Sequence, residues 1–394
     1  MLGRGTISDI VNCRLPESEI VAQLSALAPE NIDADLIASF VEEIRATTRA
    51  TDLNMLARFD DVLDCSGTGG SGLSHFNTST LSALVLAAAG VRVAKFGNRS
   101  SRGGCGSFDL LEAVGIRTSP HLEHVCELLE TVGLAYLFAP RYYPCLAKLA
   151  PARRQIGKAT IFNYIGPLLN PVAPRYRVFG VSNAAICRAA AQYLCRNGII
   201  RAFVVRSYNG LDELMPGSAN LVYEVAGGDI TDVSAHFGDA PSPPRPSDAP
   251  SSPLRDAQSS ASASDAQSSP GLGEAQSPPR VSDAQSSLRL GEAQSPPRVV
   301  NRHALQGSSG AERLLAQPLS VSDNVRIFYD LIEDPDSHLF FRDLVCMNAG
   351  AGLMVAGKVS TIGEGIATAR ALLKDGAAKE KFEALRGGTH VISA

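Results

Sequence analysis

Apolar positions recur with two different rhythms along this chain, and the change between them divides it. Over residues 16–48, Ile20, Val21, Leu24 and Leu27 follow the spacing of one helical face, and after Pro29 so do Leu36, Ile37, Phe40, Val41 and Ile44. Pro16 stands where a first helical turn tolerates it. The pattern predicts two amphipathic helices forming a small helical unit. From about residue 60 the rhythm becomes strand, polar loop, helix. VLDC (62–65) leads into a Gly-rich loop and the apolar helix LSALVLAAAG, which Gly90 closes. VRVAKF (91–96) leads into the loop GNRSSRGGCGS and the helix FDLLEAVG. LAYLFAP (134–140) and IIRAFVVRS (199–207) read as further buried strands, the latter preceded by the helix AAICRAAAQYLCRNG. Strands alternating with helices predict an α/β fold whose mostly parallel sheet is covered on both faces. Helical stripes return at about 322–334, 338–357, 361–375 and 377–386.

Between these regions lies a different material. Residues 236–312 are rich in Ser, Pro, Ala and Gln, and [DE]-A-Q-S recurs every nine residues from Asp256 to Glu292. The glycine and aspartate pattern of a calcium-binding β-helix is missing. Such a composition buries too little apolar surface to offset chain entropy, and the tract is expected to be a disordered insertion. The expected organisation is therefore a helical domain at 1–60, with a contribution from about 160–180. An α/β domain would take 61–235 and 313–394, with the repeats at 236–312 inserted into it.

Composition narrows the function. The 394 residues are 45% hydrophobic and 19% charged, ordinary for a soluble globular protein. A net charge of −4 gives no global basic field for nucleic acid or acidic membranes. The eight cysteines form no C-x-x-C pair or zinc-finger spacing, and their scatter suits a reducing compartment. MLGRGTISDIVNCRLPESEI lacks the apolar core of a signal peptide, and the longest apolar run ends at Arg92, too short to span a bilayer. A cytoplasmic protein is expected.

The candidate chemistry sits in the two Gly-rich loops. Gly67-x-Gly69-x-x-Gly72 fits a dinucleotide pattern, but the acidic residue expected about 20 positions later is replaced by Arg92 and Lys95. Seven mostly polar residues also separate those glycines from the helix. The loop suits phosphate better than NAD, because glycine lets backbone N–H groups approach an anion and Asn77-Thr78-Ser79-Thr80 adds hydroxyls at a helix start. Lys95, Asn98, Arg99, Ser100, Ser101 and Arg102 occupy the second loop, with Ser107 opening its helix. Two donor-rich strand–loop–helix junctions predict a ligand with two separated phosphate groups. Asp212-Glu213, after a buried strand, adds a pair of hard oxygen donors suited to Mg²⁺ beside phosphate.

In order and spacing, GTGG…NTST, VAKFGNRS…GSFDLLEAVGI, LAPARRQIGKATIFNYIGPLLNP, NGLDEL and CMNAGAGLMVAGK resemble the anthranilate phosphoribosyltransferase family, over about 60–225 and 320–386. The resemblance implies a nucleoside phosphorylase/phosphoribosyltransferase-like fold, usually in a homodimer. It implies transfer of phosphoribose from 5-phosphoribosyl 1-diphosphate to the amine of anthranilate, with Mg²⁺, in tryptophan biosynthesis. It places phosphoribosyl diphosphate on Gly67, Gly70, Asn77, Ser79, Thr80, Lys95, Arg99 and Ser107. The rest of that binding surface would be Ser71, His75, Thr78, Gly97, Asn98, Ser100, Ser101, Arg102 and Gly103. It places Mg²⁺ on Ser79, Asp212 and Glu213, and anthranilate on Gly67, Asn98 and Arg153. The chain departs from the family pattern where an acidic residue becomes Ser71 and a small hydroxyl residue becomes His75. Histidines become Phe96, Arg141 and Tyr143, and a polar turn becomes Arg102-Gly103-Gly104. These changes leave open another aromatic amine or nitrogen base as acceptor, or a binding protein without catalysis.

Overall fold

Side chains alternating between two faces of a sheet organise the molecule. The computed structural model describes residues 2–48, 53–71, 76–100, 104–116, 118, 121–238 and 319–387. Strands β1 (Leu63–Asp64), β2 (Val93–Gly97), β3 (Leu134–Phe138), β4 (Tyr176–Gly180), β5 (Arg201–Ser207), β6 (Asn220–Ala226) and β7 (Asp229–Asp232) form one sheet. Their order is β3-β2-β1-β4-β5-β6-β7. β3 through β5 run parallel, and β6 and β7 are antiparallel additions. The expectation of a mostly parallel α/β sheet holds. The hairpin β6–β7 is an addition, made by Gly227 (φ +59°) and Gly228 (φ +87°), a pair whose positive φ matches the twist of a two-residue turn.

One face carries Ala94, Phe96, Ala135, Leu137, Phe179, Ala202 and Val204. They pack with α1 (Arg4–Val11), α2 (Glu17–Ser25), α3 (Ala34–Ala46), α6 (Leu122–Thr131), α10 (Ile161–Ile165) and α11 (Ala184–Arg196) in a continuous apolar cluster. The opposite face carries Val93, Leu134, Tyr136, Val178, Phe203 and Val205, under α4 (Thr78–Ala88), α5 (Ser107–Ala113) and the C-terminal helices. Those helices are α12 (Val321–Glu333), α13 (Leu339–Val355), α14 (Ile362–Lys374) and α15 (Ala377–Gly387), close to the predicted spans. Helices α7 (Ala139–Tyr142), α8 (Cys145–Lys148) and α9 (Ala150–Ile156) follow β3. The sequence reading did not single out α1; it has only Ile7, Ile10 and Val11 to bury and no side-chain cap, so packing against α3 holds it.

Small residues set how closely the C-terminal helices approach the rest. A side chain at Gly350 in α13 would meet the backbone of Gly365 in α14 at 2.8 Å, and one at Gly352 would meet Leu86 of α4 at 2.7 Å. Phe237 is buried, its ring 5.2 Å from that of Phe203, so the core reaches that residue. Residues 239–318, which include all of the repeat tract beyond Gly238 and the start of the segment expected at 313–394, lie outside the described residues. Among the described residues no helix is long and apolar enough to cross a membrane.

Candidate active site

Strand order places the site. The chain winds from β1 out to β3 on one side and from β4 to β5 on the other, so the loops after β1 and β4 diverge at a topological switch point. Ligands of open α/β sheets bind outside the strand C-termini at such a point. Gly67 and Gly180 bridge the two strands there, and Thr68 N donates to Gly180 O at 2.9 Å. The Asp212 turn presses against both glycines; a methyl group at Gly67 would overlap the Asp212 carboxylate, and one at Gly180 its carbonyl. Gly69 N donates to Asp212 Oδ2 at 2.6 Å. Ser182 Oγ, just after β4, donates to Gly69 O at 2.8 Å. Glycine is required here by close approach, and the first loop and the acidic pair form one structure.

The acidic turn is held from two sides. Ser207 N donates to Leu211 O, Leu211 N donates back to Ser207 Oγ, and Gly210 takes φ +101° between them. Asn348, on α13, accepts from Leu214 N at 3.0 Å and donates to Leu214 O and Leu344 O, each at 2.9 Å. Asp212 and Glu213 are both buried.

Cys65 links these carboxylates to the rest. Its thiol donates to Ser79 O at 3.5 Å, and it feels the charges of Lys95, Asp64 and Glu213. Burial pushes the thiol up to about 12. Cys65 is therefore expected to resist iodoacetamide in the folded protein at mildly alkaline pH and to be alkylated only after denaturation, as read by peptide mass spectrometry. Lys95 is 4% exposed, and its ammonium makes no hydrogen bond or ion pair with any described residue. A buried ammonium lacking a carboxylate partner suits an incoming anion.

Helical geometry sorts the Asn77–Thr80 run. Thr78 and Thr80 are fully buried, with Thr78 Oγ1 directed to Phe76 O, while Asn77 and Ser79 keep partial exposure. Gly70 and Ser71 lie at the exposed tip, Gly70 at φ +77°. In the second loop, Asn98, Arg99 and Ser100 are exposed. Ser100 N and Gly106 N both donate to Asp109 Oδ2, closing the loop, and Ser107 Oγ donates to Asn98 O. Gly97 gives Ser107 the room to do so. Arg99 pairs with Glu112 at 2.5 Å and lies over the Phe138 ring, so an anion there would share its guanidinium. His75, Ser101, Arg102 and Gly103 lie outside the described residues.

Arg153 on α9 reaches Asn163 Oδ1 at 3.5 Å and lies over the Phe162 ring. Asn163 shares α10 with Tyr164, whose hydroxyl accepts from Asn183, the neighbour of Ser182. Phe96 is buried between Tyr142 and Tyr143, with ring centroids 6.4 and 6.2 Å away. Tyr143 Oη donates to Leu169 O at 2.7 Å, and Arg141 is exposed.

The sequence reading passed over the support beneath the first loop. Asp64 accepts from Ser66 Oγ at 2.5 Å, Asn170 Nδ2 at 3.0 Å and Arg177 Nη1 at 3.2 Å, all four residues being buried. Ser66 Oγ also lies 2.6 Å from Phe96 O at the end of β2. Burial draws the Arg177 guanidinium below its ordinary range, and Asp64 partly offsets that.

Among the described residues no three His, Cys, Asp or Glu side chains gather as a metal site. Two buried carboxylates are nevertheless the protein donor set Mg²⁺ takes when substrate phosphates and water complete its shell. The residues fit that ion.

Glycine turns, a buried lysine and an acidic pair meet at the switch point of a parallel sheet, an arrangement suited to a ligand that carries phosphate. Residues 59–240 match the model for "Glycosyl transferase family, a/b domain". Anthranilate phosphoribosyltransferase from Syntrophomonas wolfei is 43% identical over 211 residues, covering 54% of this chain; the match spans 61% of that relative's length. The crystal structure of anthranilate phosphoribosyltransferase from Thermus thermophilus superposes with a TM-score of 0.70 at 26% identity, over 98% of this chain and 96% of that one. The Saccharomyces cerevisiae enzyme in complex with PRPP and Mg shares the fold, with a TM-score of 0.69 at 19% identity over 99% and 93%. The chain is thus similar to anthranilate phosphoribosyltransferases in both sequence and fold.

Proposed function

We propose that the protein transfers the phosphoribosyl group of 5-phosphoribosyl 1-diphosphate to the amine of anthranilate, releasing N-(5-phosphoribosyl)anthranilate and diphosphate in tryptophan biosynthesis. The observation that carries this reading is the joining of the Gly67–Gly69 loop to the Asp212–Glu213 turn, with Lys95 buried nearby. The second loop, Asn98–Ser107, supplies the other phosphate end. Asp212, Glu213 and Ser79 would hold Mg²⁺, which neutralises charge on the leaving diphosphate when bound. The complex of the yeast enzyme with PRPP and Mg supports that ion.

The reaction forms a bond from C1 of the ribose to the anthranilate nitrogen as the C1–O bond to diphosphate breaks. The amine proton passes to solvent, and an aryl amine is neutral and nucleophilic enough to need no strong base. Lys95 and the loop N–H groups stabilise charge gathering on the leaving group. Gly67, Asn98 and Arg153 would orient anthranilate, with Arg153 gripping its carboxylate. Positioning two substrates supplies most of the rate, a term of about 7–11 kcal/mol. We place the enzyme in the cytoplasm as a homodimer.

The test is loss of anthranilate fluorescence with phosphoribosyl diphosphate and Mg²⁺. Asp212→Ala is expected to lower turnover about 100-fold or more, and Arg153→Ala to raise the anthranilate KM about tenfold. Absence of phosphoribosyl diphosphate binding by the unmodified protein would overturn the proposal. Phe96, enclosed by two tyrosine rings where the family carries a histidine, favours a second reading with another aromatic amine as acceptor. Diphosphate release with such an amine, and none with anthranilate, would select it.

A further inference from the structure

The two phosphate loops leave adjacent strands, yet a ligand with two charged ends requires their spacing to be fixed beyond the strand ends. Ser66 ties only their base, through Phe96 O. Farther out, among the described residues, Asn77 Nδ2 donates to Cys105 O at 2.9 Å and joins loop to loop. That amide is itself held from a third element. Asn324, fully buried in the first turn of α12, accepts from both Asn77 N and Asn77 Nδ2 through Oδ1, each at 3.0 Å. Asn324 Nδ2 donates to Ser320 O, and Ser320 and Asp323 cap the same helix reciprocally. The carbonyl of Leu319, one residue earlier, faces Gly104 of the second loop. One carboxamide thus meets the first loop directly, the second through Asn77, and the helix that follows the repeat tract.

We propose that Asn324 is a positioning residue: it touches no substrate, but sets the distance between the two phosphate-binding loops and so decides whether one ligand can engage both. This rests on the phosphoribosyl diphosphate reading of the loops. A carbonyl oxygen accepting two N–H groups of one residue fixes that residue's backbone and side chain together. Without it, Asn77 can rotate and its bond to Cys105 is lost. Apart from Asn77, each loop keeps its own donors, so ligands with a single charged end lose little. A two-ended ligand loses the advantage of simultaneous engagement, which depends on the geometry of the two halves.

The experiment compares the full-length protein with Asn324→Ala and with Asn324→Gln, which carries the same amide one methylene farther out. Calorimetry with Mg²⁺ measures phosphoribosyl diphosphate, inorganic diphosphate and ribose 5-phosphate. Both variants are expected to bind phosphoribosyl diphosphate about tenfold more weakly while each single-ended ligand stays within about twofold. Equal weakening of all three ligands, or an unchanged affinity for phosphoribosyl diphosphate, overturns the proposal. If alanine unfolds the protein, the glutamine variant decides by the same criterion. Failure of the unmodified protein to bind any of the three would instead refute the functional reading.

Discussion

Gly180→Ala is expected to lower kcat/KM about 100-fold, because a displacement of about 1 Å at the reacting geometry has that effect. The added methyl group would overlap the Asp212 carbonyl, and the nearest relief is to push the Asp212–Glu213 turn away from β4. That turn is already clamped by Asn348 at Leu214 and by the Ser207–Leu211 bonds, so it can move only by breaking them. The half-saturating Mg²⁺ concentration should rise with the loss of turnover. Gly166→Ala is the control: it has helical φ and ψ, and nothing lies within 4 Å of the new methyl group. Steady-state kinetics on both variants decide the matter. A Gly180→Ala rate within threefold of the unmodified protein would show that the acidic turn can shift without consequence.

Arg177→Met is expected to reduce unfolding free energy by about 3–5 kcal/mol, because it strands a charged Asp64 with no exposure to water. Asn170 and Ser66 would remain as partners, but neither carries charge. Asp64→Asn combined with Arg177→Met removes the stranded charge and should recover part of the loss. Denaturant titration of the two single variants and the pair gives the coupling energy. Strict additivity would show that the 3.2 Å pair contributes nothing of its own.

What was legible in the sequence was what local chemistry announces. Long helices such as 338–357 and strands such as 199–207 declared themselves by periodicity, and the two loops by glycine and hydroxyl content. The acidic pair was legible as a donor set, and its place beside Gly67 and Cys65 is a fact of topology. β1 and β4 meet only because the winding reverses between them, which no local pattern encodes. The Asp64–Ser66–Asn170–Arg177 group is scattered over more than a hundred residues, each member an ordinary polar residue in its own neighbourhood. Asn348 did leave a trace: one amide in the apolar run CMNAGAGLMVAG must find partners when that helix is buried. In the Asn77–Thr80 run the hydroxyl content was legible, whereas the turning of Thr78 and Thr80 into the core follows from helical phase.

Every side chain proposed to touch substrate or metal precedes the repeat tract, while Asn324 and Asn348 come after it. During synthesis the ribosome therefore delivers the grasping groups first and their fasteners last. A polypeptide halted within the repeats would own all the ligands and yet lack the two amides that align them. Alignment of the two loops and the acidic turn is therefore expected only once α13 has been made, so a truncation late in the gene would disturb a site whose ligands are encoded entirely upstream.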